Sequence, residues 1–287
     1  MTDPRRDGVL CLSASGFHRM AYLEWGDENA DRTVVCVHGL TGNARDFDEL
    51  AGALAAAGYR VVCPDVVGRG ASDWLADPEG YALHQYVADM ACLVGRLRVD
   101  AADWVGTSMG GLIGMSLAGR AKTPVRRMVV NDIGPFVPTA ALRRLEAYLG
   151  TDPAFEDLEA AERWLREVRA PFGPLSDERW RRMTEGTVRQ AEGGGYRLHY
   201  DPRIAVPFAR TAGRDVDVWD VWDRITCPVL VLRGAESDLL LAKTAEEMAS
   251  RGPKAEVVEL PGCGHAPALM DAAQIACVTD WLRGSPA

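Results

Sequence analysis

Residues 102 to 113 read ADWVGTSMGGLI, an apolar run that ends in glycine, threonine, serine, methionine and two more glycines. The apolar run predicts a buried strand, and LIGMSLAGR after it predicts a helix. Such a turn can simply need small residues, or it can hold Ser108 up as a nucleophile. Because the pattern G-x-S-x-G arises by chance in about one chain in ten of this length, the rest of the sequence has to decide.

The sequence on both sides of this turn alternates short apolar runs with longer helical patterns. Runs that are apolar at nearly every position and are joined by helices predict an α/β fold with a parallel sheet covered on both faces. The predicted strands are RMAYLEWG (19 to 26), TVVCVHG (33 to 39), YRVVCPD (59 to 65), ADWVGTS (102 to 108), RRMVVND (126 to 132), CPVLVLRG (227 to 234) and AEVVEL (255 to 260).

A different kind of sequence separates the two halves of this pattern. From Pro135 to Arg224 the chain is charged and amphipathic at helical spacing, with prolines and a GGG stretch as breakers. We therefore predict an inserted helical cap at 135–224, between a first part of the core at 1–134 and a second part at 225–287.

The composition is typical of a globular enzyme and excludes several other classes. The 287 residues are 47% hydrophobic and 25% charged, and the net charge of -9 argues against a nucleic-acid partner. No apolar stretch is long enough for a membrane span or a signal peptide. The seven cysteines form no C-x-x-C pair, which favours reduced thiols in the cytoplasm. We expect no cofactor and no metal.

A serine nucleophile needs a base, and the base needs an acid to orient it. His265, in the loop LPGCGHAPAL after the last predicted strand, is the candidate base. Asp238, in RGAESDLLL, lies between Ser108 and His265 in the chain and is the predicted acid. Asp132, in VVNDIGP after another strand, is an alternative acid that can also reach His265.

An oxyanion formed at Ser108 needs two N–H donors that are in place before the reaction. HGLTG, at 38 to 42, follows the strand TVVCV and offers the N–H of Leu40. The N–H of Met109, directly after the nucleophile, is the second predicted donor.

Five segments together resemble one known family in order and over nearly the whole chain. HGLTG, PDVVGRGASD, GTSMGG, GAESD and GCGHAP are similar to the motifs of the α/β-hydrolase superfamily with an inserted helical lid. The resemblance implies an eight-stranded sheet, mostly parallel with an antiparallel start, and a pocket between the sheet edge and the lid. It also implies that Arg69 and Ser72 hold a loop. A serine at the turn disfavours the branches of this superfamily that use a carboxylate nucleophile.

These observations predict acyl transfer to water, with a small and largely apolar carboxylic ester, lactone or thioester as the substrate. Two alternatives stay open: hydrolysis of a C–C bond in a diketone-type intermediate, and a small-molecule receptor on the same fold. The cap arginines Arg143, Arg144, Arg163 and Arg181 are candidate ligands for a substrate carboxylate. Their helical spacing beside glutamates favours a solvated face instead. The oligomeric state, monomer or homodimer, is left open.

Overall fold

The computed structural model of the protein describes residues 3–284, and its first half builds most of one large sheet. An antiparallel hairpin comes first and four parallel strands follow it, with three helices between them. The strands are β1 (Arg5–Ser13), β2 (Gly16–Trp25), β3 (Thr33–Val37), β4 (Arg60–Pro64), β5 (Ala102–Thr107) and β6 (Val125–Asn131). The helices are α1 (Asp48–Ala56), α2 (Leu83–Leu97) and α3 (Met109–Ala118).

The segment 135–224 is mainly helical, and its short strands pair among themselves in one sheet of three strands and one of two. Its helices are α4 (Thr139–Glu146), α5 (Leu158–Val168), α6 (Asp177–Thr187), α7 (Ala205–Thr211) and α8 (Trp219–Trp222). Its strands are β7 (Phe136–Val137), β8 (Ala154–Phe155), β9 (Val188–Gln190), β10 (Tyr196–Leu198) and β11 (Val216–Asp217). We refer to 135–224 as the inserted segment.

After the inserted segment the chain returns to the large sheet with β12 (Val229–Gly234), α9 (Ala242–Ser250), β13 (Glu256–Leu260) and α10 (Ala272–Arg283). The strand order is β1-β2-β4-β3-β5-β6-β12-β13, and every neighbouring pair from β4 to β13 is parallel. The predicted α/β fold, with a mostly parallel sheet of eight strands and an antiparallel start, is confirmed.

Two hydrophobic cores cover the two faces of the sheet. Every residue of β3 is buried, as expected for a central strand that is apolar at each position. On one face the core includes Met90 of α2 and Ile113 of α3, and on the other it includes Leu50 of α1 and Val278 of α10. No helix within residues 3–284 combines the length and the apolar character that a membrane crossing requires.

The turn between β5 and α3 is tightly packed, and this explains its glycines. A Cβ on Gly106 would lie 2.3 Å from the Gly110 carbonyl oxygen, and a Cβ on Gly110 would lie 2.0 Å from the Val37 carbonyl oxygen. Trp104 closes the turn by donating its indole N–H to the Gly110 carbonyl, at 3.0 Å. The glycines thus let helix α3 start directly against the end of the sheet.

Candidate active site

Ser108 lies at the tip of this turn in a backbone conformation that few residues adopt. Its φ of 51° and ψ of -114° fall outside the common regions for a residue with a side chain. The Ser108 N–H donates to the Asn131 carbonyl at the end of β6, at 2.9 Å, and so ties the turn to the neighbouring strand. Only 8% of Ser108 is exposed.

The loop after β13 brings His265, the candidate base, to Ser108. His265 Nε2 lies 2.9 Å from Ser108 Oγ, and its side chain is largely buried. The Asn131 side chain helps to hold this loop, since its amide donates to the Pro267 carbonyl at 2.9 Å. The imidazole is thus within hydrogen-bonding distance of the serine proton.

The carboxyl group that contacts the imidazole belongs to Asp132, the alternative acid of the sequence analysis. His265 Nδ1 lies 2.8 Å from Asp132 Oδ2, and the Asp132 side chain is fully buried. The same oxygen accepts from the Ser237 hydroxyl at 2.6 Å, and Oδ1 accepts from the Gly234 N–H at 2.7 Å. Because Asp132 accepts at Oδ2, His265 carries its proton on Nδ1 and presents the lone pair of Nε2 to Ser108.

The predicted position of Asp238 beside His265 is wrong. Asp238 is about half exposed and forms a two-point ion pair with Arg144 of the inserted segment, at 2.6 and 2.8 Å. Burial raises the pKa of this carboxyl, but the hydrogen bonds and the positive charge of Arg144, with smaller contributions, together outweigh it, so the net pKa is lowered. The physical reason is distance along the chain, since Asp132 follows β6 at once whereas Asp238 comes four residues after β12 ends.

The loop that carries Leu40 is held by buried side chains on both sides. His38 is fully buried; its Nε2 accepts from the Val66 N–H at 3.0 Å, and its Nδ1–H donates to the Gly39 carbonyl at 2.7 Å. Burial lowers the pKa of His38 to about 3, so the ring is neutral. Arg69, also fully buried, donates from Nε to the Leu40 carbonyl at 3.0 Å.

Leu40 and Met109, whose N–H groups are the predicted oxyanion donors, lie close to Ser108. Leu40 and Met109 both line the cavities at Ser108, and within residues 3–284 neither main-chain N–H has a hydrogen-bond acceptor. Met109 is also the first residue of α3, so its N–H lies at the positive end of the helix dipole. Two preset N–H groups of this kind are what an oxyanion requires.

Two cavities of different chemistry meet at Ser108, and both are lined in part by the inserted segment. The first, of about 80 Å³, we call the arginine cavity; its lining includes Ser108, His265, Arg144, Tyr148, Arg169 and Phe172. The second, of about 250 Å³, we call the apolar cavity; its lining includes Ser108, Met109, Leu112, Ile133, Leu142 and Phe208. Leu40 and Leu145 line both.

The arginines singled out from the sequence lie in different environments. Arg143 and Arg163 are exposed, and Arg181 pairs with Glu159 on the surface. Arg144 reaches the arginine cavity. Sequence reasoning missed Arg169, which lines the same cavity with only 5% of its surface exposed. Its place one residue after the last turn of α5, in a stretch rich in arginine and glutamate, gave no sign of this burial.

Comparison with known proteins shows that the chain is similar to hydrolases. The alpha/beta hydrolase family matches residues 34–276. A 3-hydroxybutyrate-oligomer hydrolase from Cupriavidus necator is 47% identical, over 98% of this chain and 99% of its own. A 2-(acetamidomethylene)succinate hydrolase from Mesorhizobium japonicum is 32% identical over 79% of each chain. The crystal structure of an alpha/beta hydrolase from Novosphingobium aromaticivorans has a TM-score of 0.86, at 36% identity, and the match covers 98% of this chain and 99% of that one.

Proposed function

Because the chain belongs to the alpha/beta hydrolase family and is a hydrolase, we propose that it is a serine esterase acting through Ser108, His265 and Asp132. The observation that carries this proposal is the continuous hydrogen-bonded chain from the Ser108 hydroxyl through His265 to Asp132. Serine, imidazole and carboxyl groups in this order are the arrangement that activates a serine for attack on a carbonyl.

In the first half of the reaction, Ser108 Oγ attacks the ester carbonyl carbon while His265 Nε2 takes the hydroxyl proton. The negative charge that forms on the carbonyl oxygen is stabilised by the N–H groups of Leu40 and Met109. The bond between the carbonyl carbon and the alkoxy oxygen then breaks, and the alkoxy oxygen receives the proton from His265. An acyl group remains bound to Ser108, and the alcohol leaves.

In the second half, water replaces the alcohol. His265 takes a proton from this water, whose oxygen attacks the acyl carbon, and Ser108 recovers its proton as the carboxylic acid departs. Asp132 keeps the His265 proton on Nδ1 throughout and stabilises the imidazolium each time it forms. The buried Gly234 N–H and Ser237 hydroxyl hold Asp132 in place for this task.

We assign the inserted segment the role of a lid over this site. Support comes from Arg144, within α4, from Tyr148, just after it, and from Arg169 and Phe172, after α5, all of which line the arginine cavity together with Ser108. A lid excludes water around the reacting carbonyl and so strengthens the hydrogen bonds that stabilise its charge.

For the substrate, we propose linear oligoesters of a short hydroxy acid. The relative that is 47% identical over almost its full length is a 3-hydroxybutyrate-oligomer hydrolase. The apolar cavity beside Ser108 supports this class, because its aliphatic lining suits the methyl and methylene groups of a hydroxybutanoyl chain.

The test is hydrolysis of a linear 3-hydroxybutyrate dimer by the purified protein, with an aryl acetate as a second ester. We expect turnover of both and labelling by a fluorophosphonate probe, all lost in Ser108→Ala. Ser116→Ala is the matched control, because Ser116 lies on α3, the helix that follows Ser108, and within residues 3–284 its hydroxyl donates only to the Leu112 carbonyl. Absence of turnover and labelling in the wild type would refute the esterase. Preferential cleavage of a vinylogous diketone would assign C–C hydrolysis instead.

A further inference from the structure

The two cavities at Ser108 divide the substrate site into a charged half and an apolar half. His265 lines the arginine cavity. Because His265 delivers its proton to the departing alkoxy oxygen, the leaving alcohol has to lie on the side of Ser108 where His265 stands. The alcohol half of the ester therefore occupies the arginine cavity, and the acyl half occupies the apolar cavity.

Arg169 is the unsatisfied group in the arginine cavity. Its Nη1 is buried and has no hydrogen-bond partner among residues 3–284. The closest carboxyl oxygen, Asp46 Oδ1, is 3.6 Å away, beyond hydrogen-bonding distance. Its Nη2 makes one long contact, 3.5 Å, with the Thr41 carbonyl. A buried guanidinium with unused donors is costly unless a ligand supplies the acceptors.

No neighbouring group within residues 3–284 supplies an acceptor at hydrogen-bonding distance from Arg169 Nη1. Asp46 does not supply such an acceptor, since its nearer carboxyl oxygen lies 3.6 Å from Nη1. Burial raises the pKa of this carboxyl, although Arg169 opposes the shift. Phe172 packs against the guanidinium with its ring centroid 5.3 Å away and offers no acceptor in the guanidinium plane. Arg144, by contrast, already has its two acceptors on Asp238.

We propose that Arg169 binds a carboxylate on the leaving alcohol, so that the preferred substrate is an ester whose alcohol half is itself a hydroxy acid. This inference rests on the proposed esterase function and specifies its substrate class. The two N–H groups of a guanidinium edge match the two oxygens of a carboxylate, which gives a fixed orientation as well as affinity.

For an oligoester the consequence is a direction of cleavage. With the terminal carboxylate on Arg169, the ester bond that reaches Ser108 is the one nearest that end. Ser108 Oγ bonds to the carbonyl carbon of the penultimate unit, the bond from that carbon to the alkoxy oxygen breaks, and His265 protonates the alkoxy oxygen. The terminal unit departs as a free hydroxy acid, and water then releases the shortened oligomer from Ser108.

The first experiment compares a 3-hydroxybutyrate dimer with the same dimer carrying a primary amide in place of its terminal carboxylate. We expect the wild-type kcat/KM to be about 100-fold higher for the carboxylate form than for the amide form, because a charge-assisted two-point contact contributes about this factor. Arg169→Met should lose this preference and leave the amide form within about threefold of the wild type. Arg163→Met is the matched control, because Arg163 is exposed on α5, the helix that ends next to Arg169, and it should keep the preference.

A merely structural role for Arg169 predicts a different result. Since Arg169 also approaches Thr41 and Asp46, its loss could disturb the loop that carries Leu40. In that case Arg169→Met would slow the carboxylate and amide forms alike, and this outcome would overturn the proposal. As a readout that does not depend on turnover, binding of free 3-hydroxybutyrate to Ser108→Ala should be lost when Arg169→Met is added.

The second experiment tests the direction of cleavage with a 3-hydroxybutyrate trimer that is acetylated at its hydroxyl end. We expect the first products to be free 3-hydroxybutyrate and the acetylated dimer. Early release of the acetylated monomer would place the carboxylate elsewhere and overturn the proposal.

The proposed esterase function and the proposed role of Arg169 can be refuted independently of each other. A wild type that cleaves no ester refutes the esterase, whereas one that cleaves the carboxylate and amide dimers equally refutes only the role of Arg169.

Discussion

Replacing Asp132 by asparagine changes one hydrogen-bonding atom of the proposed catalytic chain of Ser108, His265 and Asp132. Asp132 Oδ2 accepts from His265 Nδ1–H at 2.8 Å and from the Ser237 hydroxyl at 2.6 Å, and Oδ1 accepts from the Gly234 N–H at 2.7 Å. The backbone φ at this position is 55°, a left-handed conformation that asparagine tolerates. Asp132→Asn therefore keeps the fold and the volume and changes only hydrogen-bonding capacity.

The loss of activity in Asp132→Asn depends on the orientation of the new amide NH2 group. If it faces Gly234, two donors oppose each other in a buried site, at a cost of about 1–3 kcal/mol. If it faces His265, the ring must accept at Nδ1 and carry its proton on Nε2, where it can no longer take the Ser108 proton. The equivalent substitution in serine proteases lowers kcat about 10⁴-fold. We expect a fall of about 10³- to 10⁴-fold here, which corresponds to about 4–5.5 kcal/mol in the activation free energy.

Asp238→Asn is the control, and it separates the two acids. The Asp238 side chain is 49% exposed and pairs with Arg144, and exposed ion pairs contribute about 0–1 kcal/mol. We expect kcat for an aryl acetate to change by less than about threefold. Initial rates at saturating ester, with circular dichroism to verify folding, measure both variants. A loss in Asp238→Asn as large as that in Asp132→Asn would refute the assignment of the acid.

Two further predictions concern the framework of the site. Gly106→Ala should lower the free energy of unfolding by about 3 kcal/mol or more, because its Cβ would press on the Gly110 carbonyl. Gly95→Ala is the control: Gly95 lies in open space on α2, so this substitution should raise the free energy of unfolding by about 0.5–1 kcal/mol. Urea midpoints measure both, and equal effects would contradict the close approach. Between its folded pKa of about 3 and its unfolded pKa of 6.5, His38 binds more protons when unfolded, so its contribution to stability falls as the pH falls. Urea unfolding at about pH 7.5 and about pH 5 should show wild type losing about 2 kcal/mol more than His38→Gln. A parallel pH dependence of the two proteins would contradict a buried neutral ring.

The sequence contains enough to place Ser108 and His265, but not the acid between them. Ser108 follows a strand that is mostly apolar and buried, and His265 lies in a glycine-rich loop after the last strand, so the parallel sheet alone brings both to one edge. Asp132 and Asp238 also follow strands. What separates them is how far each carboxyl lies beyond its strand, and whether Ser237 turns inward to donate to Asp132. Helical spacing and strand order do not carry that information.

The burial of Arg169 is a second feature that the sequence does not reveal. In the sequence it is one of many arginines among glutamates, a pattern that indicates a solvated surface. Its burial depends on how the inserted segment packs over Thr41, Asp46 and Phe172, which is a tertiary contact between distant parts of the chain. The local sequence therefore identifies arginines that can bind a ligand, but it does not show which of them lacks a hydrogen-bond acceptor in the folded protein.

An acyl group carried by Ser108 is the central intermediate of the proposed reaction. Protein quenched in acid during turnover of the 3-hydroxybutyrate dimer, then digested and analysed by mass spectrometry, should carry one 3-hydroxybutanoyl unit on the peptide that contains Ser108. His265→Gln, which keeps Ser108 but removes the base that both takes its proton and activates water, should show no such adduct. An active wild-type sample with no adduct on Ser108, or with the adduct on another residue, would contradict a Ser108 acyl-enzyme.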